Sequence, residues 1–83
     1  MSQSNGDMRS LIEYLAKGLV DAPGAVVVDQ YEDGDETVLE VEVAPEDVGR
    51  VIGRQGRTVR ALRTIAGAAG AKQDKRYAVE VVE

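Results

Sequence analysis

Cysteine, histidine, phenylalanine and tryptophan are all absent from this chain of 83 residues. Without cysteine there is no disulfide framework, no thiolate nucleophile and no thiolate-bound metal. Without histidine the commonest general base and the commonest metal ligand are both missing. No apolar run approaches the roughly 20 residues of a membrane-spanning helix. The opening Met1-Ser2-Gln3-Ser4-Asn5-Gly6 has neither a basic segment nor an apolar core, so it does not read as a signal peptide. The expectation is a cytoplasmic chain with a polar tail over residues 1–6 and one small domain over 7–83. A domain of this size buries only about 60–65% of the surface its unfolded chain exposes. Its core is expected to be modest and aliphatic.

What the chain does have is an uneven charge distribution. The formal net charge is −5, which taken alone argues against a polyanionic partner. Residues 1–49 hold twelve carboxylates and two basic residues, a balance of −10. Residues 50–76 hold eight basic residues and one carboxylate, a balance of +7, and residues 77–83 add two more acids. A basic patch on an acidic body steers an anion to one face and repels it from the rest.

The basic region is centred on Val51-Ile52-Gly53-Arg54-Gln55-Gly56-Arg57-Thr58-Val59. Two glycines there flank a basic-polar pair between short amphipathic segments. Glycine permits close backbone approach and positive φ. A tight turn that opens a helix points unpaired N–H groups and the positive end of the helix dipole outward. Such a turn suits a phosphate, and Arg54, Arg57, Arg60 and Arg63 surround it. No Gly-Lys-Ser/Thr follows, so it is not a Walker A loop. The third glycine and preceding strand of a dinucleotide fingerprint are also missing.

Hydrophobic periodicity gives the element order. Met8, Leu11, Ile12, Leu15, Ala16, Leu19 and Val20 recur on one helix face, with Asp7 as N-cap and Pro23-Gly24 as the stop. Ala25–Glu32 reads as a strand, Asp33-Gly34-Asp35 as a turn, and Thr37–Val43 as a second strand with period two. The short Asp-Gly connection makes the pair an antiparallel hairpin. Pro45 opens a short helix that Gly53–Gly56 interrupts. A further helix from Arg57 buries Val59, Leu62, Ile65, Ala66 and Ala69, its end loosened by Gly67 and Gly70. Tyr77, Val79 and Val81 belong to a third strand. Tyr14 and Tyr77 are expected in the core or at its rim. The fold class is α+β, with the order α-β-β-α-α-β. Asp29, Asp33, Gly34 and Glu40 fall at EF-hand offsets, but their flanks read as strands and Tyr31 stands where a ligand belongs. The acidic hairpin is therefore read as a turn, and no metal or cofactor is expected.

Pro45-Glu46-Asp47-Val48-Gly49-Arg50-Val51-Ile52-Gly53-Arg54-Gln55-Gly56 resembles the helix and Gly-x-x-Gly loop of KH RNA-binding domains, in the type II order. With Leu19-Val20-Asp21-Ala22-Pro23 ending the first helix, the chain is most similar to small stand-alone bacterial KH proteins of the KhpA type, from about Met8 to Glu83. The resemblance implies a three-stranded sheet against three helices. It also implies non-catalytic binding of single-stranded RNA, whose backbone a KH loop clamps over about four nucleotides. On that basis Gly53 and Gly56 would admit the backbone, Arg54 and Arg57 would meet phosphates, and Gln55 would donate a hydrogen bond. Val48, Val51 and Ile52 would form the groove floor, with Arg50 and Arg60 beside it and Val38 or Glu40 on the facing wall. Arg63 is left out of the site.

Tyr14, Tyr31 and Tyr77 are the only aromatic residues, so base stacking, worth about 1–3 kcal/mol per base, contributes little. Weak, salt-sensitive binding by one copy is expected. A homodimer or a KhpB-like (Jag-like) RNA-binding partner would raise avidity, in the manner of an RNA chaperone or post-transcriptional regulator. The alternative is a KH-fold protein-interaction adaptor with little RNA affinity. An enzyme ranks third, because no nucleophile stands beside a base.

Overall fold

The computed structural model describes residues 7–83; the tail expected over residues 1–6 lies outside them. Helix α1 spans Met8–Leu19, strand β1 Val27–Asp33 and strand β2 Glu36–Glu42. Helix α2 spans Val48–Ile52, helix α3 Arg57–Lys72 and strand β3 Arg76–Val81. The expected order and the expected antiparallel hairpin are both present. Short 3₁₀ turns at Pro23–Ala25, Pro45–Asp47 and Arg54–Gly56 occupy the junctions. At each of the first two, proline supplies a preset φ and needs no N–H partner.

The sheet order is β1-β2-β3, with β2 antiparallel to β1 and parallel to β3. Antiparallel strands can share a tight turn, whereas parallel ones need a long crossover. Here α2, the Gly-x-x-Gly turn and α3 form that crossover, so the basic region is covalently tied to both β2 and β3.

All three helices lie on one face of the sheet. Met8, Ile12 and Ala16 of α1, Val51 of α2, and Leu62 and Ala66 of α3 meet Val28, Leu39, Val41 and Val79 in a single core. Asp7 caps α1 as expected, accepting from the Ser10 N–H and hydroxyl. Its carboxyl is held below its ordinary range, first by the Ser10 hydroxyl and then by the Ser10 N–H.

Three expectations need correction. Tyr14 is exposed on α1, while Tyr77 does pack against the core. Ile65 is exposed, because α3 turns its Val59–Leu62–Ala66 stripe inward, continued by Ala69 and Gly70. Helix α3 continues through Gly67 and Gly70 to Lys72. At Gly70 a Cβ would come within 2.7 Å of the Lys75 carbonyl oxygen, so glycine there lets the returning chain pass close.

Candidate nucleic-acid interface

The α2–α3 corner is built from strained backbone. Helix α2 ends at Gly53, whose N–H donates to Gly49 O at 2.8 Å and whose φ is +79°. Gln55 and Gly56 follow at φ +57° and +73°. A left-handed glutamine costs about 1–2 kcal/mol, and strain of this kind collects at functional sites. Gly53 has a second reason to be glycine. A Cβ there would overlap the Thr58 side chain and approach the Thr58 backbone nitrogen to 2.8 Å. The turn therefore closes directly onto the first turn of α3. The N-cap of α3 is Gly56, which has no side chain to cap it, and that first turn contains no carboxylate. The positive end of a 16-residue helix is left open beside the turn.

The arginines divide by position. Arg9 pairs with Glu13 at 3.6 Å, Arg76 with Asp35 at 3.6 Å, and Arg50 with both Asp21 and Asp47 at 2.8 and 3.1 Å. Arg54, Arg57, Arg60 and Arg63 have no carboxylate partner among the described residues. Arg60 Nη2 instead donates to the Gln55 carbonyl at 3.3 Å, bracing the turn. Four guanidinium groups thus stand uncompensated along the loop and α3.

Of the residues expected at the site, Arg54, Gln55, Arg57 and Arg60 are exposed, and Gly53 and Gly56 half-buried. Val48 and Ile52 are half-buried and present apolar surface beside the turn. Val51 is fully buried in the core; it supports the corner from beneath. Arg50 is close in sequence but committed elsewhere, to two carboxylates. One of them, Asp47, is only 1% exposed and also accepts the Asp21 and Ala22 N–H groups at 3.2 and 3.1 Å. Asp47 therefore ties the segment after α1 to the start of α2. Its burial was not legible in a string where it reads as a dipole-matching acid.

The facing wall also differs from expectation. Strand β2 is central and paired on both sides, and Val38 and Glu40 project from the sheet face opposite the helices. The strand alongside α3 is β3. The Val82 N–H donates to Val41 O at 2.9 Å, so Val79, one register step away in parity, turns its backbone groups to the free edge. Arg63 Nε donates to the Val79 carbonyl there at 3.1 Å. Arg63, left out on sequence grounds, thus places its charge over the free edge of β3. Helical spacing alone does not tell a solvated arginine from one that reaches a neighbouring strand.

The arrangement offers anion contacts at an open helix end, a shallow apolar strip at Val48 and Ile52, and a strand edge opposite. It contains no nucleophile–base pair. Among the described residues no helix is long and apolar enough to cross a membrane.

Comparison with known proteins gives one consistent result. The family model described as KhpA/KhpB, KH domain, matches residues 9–81. A Clostridium acetobutylicum protein named RNA-binding protein KhpA is 47% identical over 75 residues, covering 90% of this chain and all of that one. The protein of the same name from Treponema pallidum is 45% identical over 73 residues, covering 88% and 91% of the two chains. The one from Borreliella burgdorferi is 41% identical over 78 residues, covering 94% and 95%.

Proposed function

The chain belongs to the KhpA/KhpB family of KH domains, and from that premise we propose that it binds single-stranded RNA without chemistry, through the Gly53–Gly56 turn. The observation that carries this reading is the division of the arginines: Arg9, Arg50 and Arg76 are paired, and those of the Gly-x-x-Gly turn and α3 have no carboxylate partner among the described residues. Uncompensated guanidinium groups at an open helix end suit a phosphate backbone. In this reading Gly53 and Gly56 admit the backbone, Arg54, Arg57 and Arg60 meet phosphates, and Gln55 donates to a phosphate or sugar oxygen. Val48 and Ile52 give the bases an apolar floor, and the free edge of β3 faces them. The similar proteins carry RNA-binding in their names, which supports the same assignment.

The protein acts in the cytoplasm as an RNA chaperone or post-transcriptional regulator, as a homodimer or with a KhpB-like partner. With stacking limited to three tyrosines, a second RNA-binding surface supplies the avidity one copy lacks. Leu11 and Leu19, part-exposed on α1, form the surface for a second copy. Light scattering of purified protein tests this, and a monomer at micromolar concentration removes the homodimer.

The test of the RNA site is fluorescence anisotropy with short labelled single-stranded RNAs. Three phosphate contacts give a log–log salt slope of about −2, so raising salt from about 50 to 200 mM weakens binding about twentyfold. The Arg54→Asp/Gln55→Asp variant keeps both glycines and lies on an exposed turn, so it folds and loses at least about tenfold in affinity. Equal binding by the folded variant, or no binding by wild type, removes the loop as the site and leaves a protein-interaction adaptor.

A further inference from the structure

The sheet has a second face, and no helix among the described residues covers it. Strand register places Asp29, Glu40 and Glu80 in one row across all three strands, and Tyr31, Val38 and Ala78 in the next. Both rows project away from the helices, by parity with Val28, Leu39 and Val79 in the core. Like charges directly opposite one another on a sheet destabilise it. Among the described residues no basic side chain forms an ion pair with any of the three carboxylates.

The neighbouring surface is partly apolar. Val38, between Tyr31 and Ala78 in register, is only 2% exposed, while Tyr31, Val27 and Val82 remain 44%, 47% and 40% exposed. Along β1 and β3 the pattern runs apolar, acidic, apolar in steps of two residues, Val27–Asp29–Tyr31 and Ala78–Glu80–Val82, while β2 runs Val38–Glu40–Glu42 and adds a further carboxylate beside the row. Each step is about 6.6 Å, close to the 6.0 Å rise from i to i+4 on a helix. Three strands span about 14 Å, room for one helix about 10–12 Å across. A sheet face with an apolar stripe is normally closed by another layer.

We propose that this face docks a single amphipathic helix of a partner protein. That helix presents lysine or arginine to the Asp29–Glu40–Glu80 row and to Glu42 beside it, and aliphatic side chains to Tyr31 on one side and to Val27 and Val82 on the other. The commitment to a cationic helix rests on charge complementarity and on the row spacing. A second copy of this chain is the wrong occupant: Arg9 and Lys17 of its α1 pair with Glu13, its hairpin is acidic, and the arginines of its α3 belong to the RNA corner. Nucleic acid is excluded by the same charges. The surroundings of Tyr31 agree with this electrostatic picture: its phenol is pushed above its ordinary range, first by partial desolvation and then by Glu80, Glu40 and Asp33. The face is separate from the α2–α3 corner, so helix and RNA can be held together.

The test is an amide-NMR titration of the whole chain with an alanine-based helical peptide of about 18 residues. It carries Leu at i and i+8 and Arg at i+4; a twin carries Glu at i+4. Shifts are expected over residues 27–31, 38–42 and 78–82 but not 53–57, and the Glu twin is expected to leave the spectrum unchanged. Asp29→Asn/Glu40→Gln/Glu80→Gln is expected to weaken binding by about tenfold or more while keeping a folded spectrum. Should the triple variant fail to fold, Glu40→Gln alone, at the centre of the row, is expected to weaken it by a smaller factor. No shift with the Arg peptide, undiminished binding by the folded variant, or shifts centred on 53–57 would each overturn the proposal.

Discussion

The α2–α3 corner and the bare face of the sheet leave opposite things unsatisfied. At the corner four arginines have no carboxylate, and on the bare face the carboxylates of the Asp29–Glu40–Glu80 row have no base, among the described residues. The backbones differ as well. The corner is a succession of short turns with φ positive at Gly53, Gln55 and Gly56, whereas the bare face is regular strand in unbroken register. A net charge of −5 averages over two surfaces that select different partners. Sign and position decide what each surface meets; the sum does not.

The largest expected effect comes from removing what holds the corner in place. Asp47 satisfies two backbone N–H groups and the Arg50 Nε from a position that is almost wholly buried. In Asp47→Ala those donors lose their acceptor at a cost of about 3 kcal/mol, which lowers the melting temperature by about 15 °C. Calorimetry decides it: melting within about 3 °C of wild type would mean that packing alone positions the corner. Gly53→Ala follows. Positive φ and overlap with Thr58 together cost about 2 kcal/mol, and RNA affinity falls further than stability explains, because the turn itself must open. A variant binding as tightly as wild type would show that the turn's shape does not matter. Neither substitution touches the bare face, so helix-peptide binding by the folded fraction should be unchanged.

How much of this was legible beforehand follows the same division. Regular structure announces itself by period. The valine alternation gave β1, β2 and β3, the leucine spacing gave α1, and Gly-x-x-Gly gave the break between α2 and α3. Edges drifted by up to three residues where 3₁₀ turns intervene at Pro23 and Pro45. The missed features are relations between distant segments. That Asp47 binds residues 21 and 22 depends on the hairpin register; that Arg63 reaches Val79, and that β3 rather than β2 faces the corner, depend on the parallel crossover. Local pattern does not encode a pairing between strands more than thirty residues apart. The acidic row was likewise invisible, since Asp29, Glu40 and Glu80 become neighbours only through register.

Smaller effects are expected on the bare face, and with the opposite sign. Neutralising the row in Asp29→Asn/Glu40→Gln/Glu80→Gln removes two directly opposed like-charge contacts, so the domain gains up to about 1 kcal/mol. That is the pattern of a surface kept for binding at some expense of stability. Urea denaturation at low salt reads it, and the gain shrinks as salt screens the repulsion. A loss of stability would mean that unseen partners already compensate the carboxylates.

The smallest effect is the most local. Glu80, Glu40 and Asp33 add to desolvation in raising the Tyr31 phenol. A raised folded-state pKa stabilises the fold below the unfolded value, and that contribution is lost as pH climbs through the folded one. Removing the Glu40 and Glu80 charges takes away part of the shift and leaves the larger desolvation part. Tyr31 should therefore ionise at lower pH in the neutralised variant, yet still above its ordinary range. Absorbance at the phenolate band, in a Tyr14→Phe/Tyr77→Phe background, isolates it. Arg54→Asp should leave the same titration unmoved, because the corner lies on the helix side of the sheet. If Tyr31 responded equally to both changes, the two surfaces would be one electrostatic unit, and RNA at the corner would oppose or assist whatever docks on the sheet.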